Sequence, residues 1–89
     1  MTADDTRKLE IEIAKGDRYK HLYDEILEDF FEKKQAILFN AFTSVPVTKT
    51  EELVAIRMQS TALESLRSEF LTVIESGRLA KLQLNEEGK

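Results

Sequence analysis

The chain has 89 residues, 42% hydrophobic and 34% charged, with a formal net charge of −4 and no cysteine. Its size allows one small core, its apolar content argues against disorder and its charge against a membrane protein, and the missing thiols exclude a disulfide framework or thiolate metal site. The acidic balance argues against a compact domain that grips nucleic acid; there is no signal-peptide pattern and no run of roughly 20 apolar residues, so the expected setting is cytoplasmic.

Three glycines and one proline are sparse punctuation and imply few, long elements. Residues 3–15 are expected as a short helix: Thr2 and Asp5 have capping-box spacing, acidic residues fill the first turn, and Gly16 is placed to end the helix in the left-handed conformation. Leu9, Ile11 and Ile13 also alternate as a strand would, but Leu9 and Ile13 share a helical face, and the helix is preferred.

From Asp17, residues 17–43 read as a long helix whose apolar positions, from Tyr19 through Leu27 and Phe31 to Phe42, spread over a broad side of roughly 160°. Residues 44–49 are a turn, because Pro46 lacks a donor and disfavours helical geometry at Val45. Thr48 and Glu51 offer a second capping box for a long helix over 50–76, with Leu53, Ile56, Leu63, Leu66, Phe70, Val73 and Ile74 at helical spacing up to Gly77. The expected fold is all-α: an antiparallel hairpin of long helices with a short N-terminal helix, forming one domain over residues 1–89.

The apolar arc of residues 17–43 is wider than one partner helix covers, and a two-helix core of this size is marginal, so a homo-oligomer is expected. Candidate contacts with another copy or a protein partner are Phe31, Phe39 and Phe42, joined by Leu79, Leu82 and Leu84 in residues 78–89, a tail or docking segment. Lys34 interrupts the first stripe level with Gln59 and Ser60 in the second, and the three are expected to meet as a register-setting polar layer; the alternative has Lys34 snorkelling outward.

Chemistry is thinly supplied. His21, the single histidine, falls on a polar side beside Glu25 and Glu28, and reads as solvated. Glu25, Glu28, Asp29 and Glu32 form an acidic stripe that reads as a solvated face or a dock for a basic partner. No serine has an activating motif and there is no phosphate loop, so neither catalytic activity, cofactor nor metal is expected.

Residues 48–84 resemble the C-terminal half of small helical proteins encoded in the head and packaging gene clusters of tailed bacteriophages. The resemblance is carried by Thr48, Glu51, Leu53, Leu63, Leu66, Gly77, Arg78, Leu79 and Ala80, preceded by an aromatic-rich amphipathic helix over Tyr19 to Phe42. It implies a virion-assembly or DNA-packaging accessory, such as the oligomerising core of a small terminase subunit, in host cytoplasm or virion. The leading expectation is therefore a non-enzymatic helical assembly protein; a small acidic inhibitor or adaptor for a host protein is the alternative, and a ring that touches nucleic acid indirectly is a third.

Overall fold

The computed structural model describes residues 2–87, which form two helical arms and no strand. The first arm runs unbroken through α1 (Ala3–Leu22), a π-helical turn (Tyr23–Leu27) and α2 (Glu28–Ser44); the second is α3 (Thr50–Glu87). Gly16 faces Gly77, Tyr23 faces Arg67 and Gln35 faces Ser60, so the arms are antiparallel, in a rod of 62 × 22 × 15 Å. The expected all-helical class holds, and two expected boundaries do not.

At the N-terminus the capping box forms as its spacing indicates. Asp5 N–H donates to Thr2 Oγ1 at 3.2 Å and Thr2 N–H to Asp5 Oδ2 at 3.5 Å, so two otherwise orphaned donors are satisfied reciprocally. These bonds hold the Asp5 carboxyl below its usual range, chiefly through Thr2. The helix then runs straight through Gly16, and α3 likewise runs through Gly77; no glycine among the described residues has positive φ. Neither residue is a left-handed cap, there is no separate N-terminal helix, and residues 78–87 are helix rather than tail, residues 88 and 89 lying outside the described ones.

The two glycines serve each other instead. A Cβ built on Gly16 would stand 2.8 Å from the Gly77 Cα and 3.3 Å from the Val73 carbonyl oxygen; one on Gly77 would stand 2.9 Å from the Gly16 Cα and 3.0 Å from the Glu12 carbonyl oxygen. Backbone meets backbone there, which no residue with a side chain permits. Ala80, one turn beyond Gly77, continues the close approach and is almost fully buried.

The π turn has a readable cause. Tyr19, Tyr23, Leu27, Phe31 and Gln35, all turned toward α3, are four residues apart throughout. In a regular α-helix each four-residue step overshoots a full turn by about 40°, so such a run would spiral off the partner. The turn at 23–27, where Glu28 N–H bonds the Tyr23 carbonyl five residues back, absorbs part of the excess and keeps the row on the seam.

At the other end Val45 is extended before Pro46, as the proline requires, and Lys49 N–H closes the turn on the Pro46 carbonyl at 2.9 Å. This places Thr48 inside the turn. The Lys49 carbonyl then takes the first helical bond from Leu53, and α3 starts at Thr50, so the helix begins beyond the position at which Thr48 would cap it with Glu51.

Candidate interaction surface

Between the arms the seam is narrow. Tyr23, Phe31 and Ala80 are the buried hydrophobic residues among those described, and Phe31 is the one large side chain with no exposure at all. Helical side chains lean toward their own N-terminus. In antiparallel arms Phe31 and Phe70 therefore lean toward each other, and their ring centroids lie 6.3 Å apart. Phe30 at 5.7 Å, Tyr23 at 6.2 Å from Phe31 and Tyr19 at 5.4 Å from Phe70 complete an aromatic cluster beside the π turn.

Two polar pairs interrupt the seam. Ser60 Oγ donates to Gln35 Oε1 at 2.9 Å, and Gln35 Nε2 returns a bond to the Ser60 carbonyl at 3.3 Å. Two turns away, Arg67 Nε donates to the Tyr23 hydroxyl oxygen at 2.7 Å, with Glu32 and Glu28 near enough to favour its charge. These pairs resist slippage, because a shifted register separates both at once. Of the expected layer, Ser60 takes its place. Lys34 and Gln59 do not: both are exposed, and Lys34 Nζ stands 5.8 Å from the Phe30 ring centroid, outside the seam. Each stands one residue before a seam position, which turns it onto the flank. Tyr23→Phe is expected to cost about 1 kcal/mol by leaving the partly buried Arg67 without this acceptor; urea denaturation at fixed protein concentration measures it, and an unchanged midpoint would deny the pair a structural role.

The hairpin has two flanks, and they differ in chemistry. Positions one residue after the seam include Asp24, Glu28, Glu32, Phe39 and Phe42 on the first arm, and Arg57, Glu64, Leu71 and Glu75 on α3. An open groove lined by Phe39, Phe42, Ile56, Arg57 and Glu64 shows that these positions of the two arms share one side. Apart from the phenylalanines near the turn and Leu71, the residues named on this flank are acidic except Arg57. Positions one residue before the seam are Leu22, Ile26, Phe30, Lys34 and Ile37 on the first arm, and Ala55, Gln59, Ala62, Leu66, Glu69 and Val73 on α3. Their flank is predominantly apolar, and Ile26 and Ile37 are 58% and 59% exposed.

The expected contact residues divide accordingly. Phe31 is enclosed by its own hairpin and cannot meet a partner, a correction that follows from its place on the seam. Leu84 is half-buried within the chain. Phe39 and Phe42 remain exposed beside the groove, and Leu79 and Leu82 remain exposed on α3, uncovered by their own chain. Sequence reasoning missed Leu22, Ile26 and Ile37 as a separate surface because it counted them into one broad arc. Only the spacing of Tyr19, Tyr23, Leu27 and Phe31 divides that arc into a seam and a flank.

The histidine and the carboxylate side chains of the acidic stripe, Glu25, Glu28, Asp29 and Glu32, are exposed. His21 Nε2 lies 3.4 Å from Glu25 Oε1 with both side chains largely exposed, and Lys33 pairs with Asp29 at 2.9 Å. Among the described residues no group of three histidine, aspartate or glutamate side chains is arranged to hold a metal ion, and no helix is long and apolar enough to cross a membrane. No family model matches the sequence, and neither a curated protein nor a solved structure shows significant similarity to it.

Proposed function

We propose that this chain is a non-enzymatic assembly protein, a helical hairpin that associates with copies of itself and presents its remaining surface to a protein partner. The observation that carries the reading is how little apolar surface the chain encloses alone. It exposes 6836 Å² for a mass of 10.3 kDa, where a compact monomer of that mass exposes about 5,400 Å². Fourteen large apolar side chains among the described residues are exposed, Ile26, Ile37 and Phe39 to more than half, a pattern that marks association surfaces in soluble proteins. The setting we infer, virion assembly or DNA packaging in a tailed bacteriophage, rests on the sequence resemblance alone.

A second reading draws on the acidic flank: a monomeric adaptor that binds a basic protein surface through Asp24, Glu28, Glu32 and Glu64. Light scattering coupled to gel filtration separates the two. A dimer or larger species at micromolar concentration is expected, and a clean monomer would remove the assembly reading and leave the adaptor.

A further inference from the structure

We propose that the occupant of the apolar flank is a second copy of this chain, docked antiparallel about a twofold axis that passes beside Phe30. The inference rests on the assembly reading and names its surface and symmetry. A twofold contact brings a surface against itself, so the surface must match its own reversal. The first-arm stripe does: Leu22 stands eight residues before Phe30 and Ile37 seven after, with Ile26 four before and Lys34 four after. Reversed on itself, the stripe sets Leu22 against Ile37 and Ile26 against the alkyl stem of Lys34, with the two Phe30 rings at the centre.

Charge agrees with this arrangement. Lys34 and Glu69 are the ionisable residues within the flank between Leu22 and Ile37. Glu69 lies two residues past Arg67, the partner of Tyr23, and so is level with the Leu22 end of the stripe. With first arm laid on first arm and α3 on α3, Lys34 meets the partner's Ile26 and Glu69 meets the partner's α3, so neither ionisable residue faces its own kind across the axis. The opposite flank, with Asp24, Glu28, Glu32 and Glu64, would set like charges against each other if it paired with itself.

Area agrees as well. A standard interface hides about 800 Å² on each partner, and the whole chain exposes roughly 1,400 Å² more than a compact monomer of its mass. Pairing the apolar flanks yields a four-helix bundle, with the Phe39 and Phe42 groove still open on the outside.

The test uses single nitroxide labels on cysteines introduced at Arg18, Asp29 and Asn40, exposed sites in a chain with no other cysteine, and reads label-to-label distances by pulsed electron resonance. With the axis at Phe30, the Asp29 labels fall within roughly 20 Å across packed helices, while Arg18 and Asn40 labels are each separated by at least about 30 Å along the rod. Three equally short distances would mean a parallel dimer, and the longest distance at Asp29 would mean that another face is used. Either result overturns the proposal while self-association stands. Absence of any dipolar signal together with a monomeric mass would overturn both.

Discussion

Gly16→Ala is expected to destabilise the hairpin by about 1–2 kcal/mol, although helix propensity alone predicts the opposite. In an exposed helix interior, alanine in place of glycine gains roughly 1 kcal/mol. Here the new methyl would stand 2.8 Å from the Gly77 Cα and 3.3 Å from the Val73 carbonyl, and these are backbone atoms that no rotamer change can move aside. The arms must separate, and separation also strips contacts from Ala80 and its neighbours. Overpacking of this kind costs about 1–3 kcal/mol, which outweighs the propensity gain when the obstacle is rigid. Gly16→Leu needs a wider separation and is expected to unfold this end of the rod. Thermal melts at fixed protein concentration check both. A melting temperature that rises for alanine would mean that the arms do not touch at the glycines.

Phe31→Ala is expected to cost about 3–5 kcal/mol, the range for emptying a fully enclosed phenylalanine site. Phe31 touches the Tyr23, Phe30 and Phe70 rings, and edge-to-face packing with Phe30 adds to its area burial. Small domains have only about 5–15 kcal/mol in total, so this one truncation removes a large part of the stability, and the chain is expected to be substantially unfolded at 37 °C. Phe39→Ala is the control: that side chain is 67% exposed, and within the chain its removal is expected to fall within about 0.5 kcal/mol of neutral. Equal losses for the two variants, by urea titration, would contradict the buried aromatic cluster.

What the sequence showed clearly was what local physics decides. The long apolar periodicities, the Thr2 and Asp5 cap and the break at Pro46 need only neighbouring residues to explain them, and all three are present. The glycines were misread because the local signal for a helix end is the same as the signal for a close helix crossing. Gly16 and Gly77 are 61 residues apart in the chain, and only the paired register shows that they face each other. The polar layer was legible in level but not in side: residues 34–35 do meet the level of 59–60, yet Gln35 and Ser60 turn inward while Lys34 and Gln59 turn out. A regular helical wheel could not decide between adjacent residues downstream of Tyr23. The π turn shifts the phase of everything after it.

That turn makes the first arm a spliced rod. Residues before it are phased to the glycine contact, residues after it to the Gln35 and Ser60 pair, and the two phases differ by about one residue. Losing one residue within Tyr23–Leu27 would heal the helix without rotation, whereas tightening the turn into regular α-helix with every residue kept would rotate one half against the other by about 100°. The seam and the flank would then trade places along half the molecule, bringing Lys34-side residues inward and turning Phe31 out. A more regular backbone over the same residues would thus erase the distinction between the surface that joins the arms and the surface left free to bind.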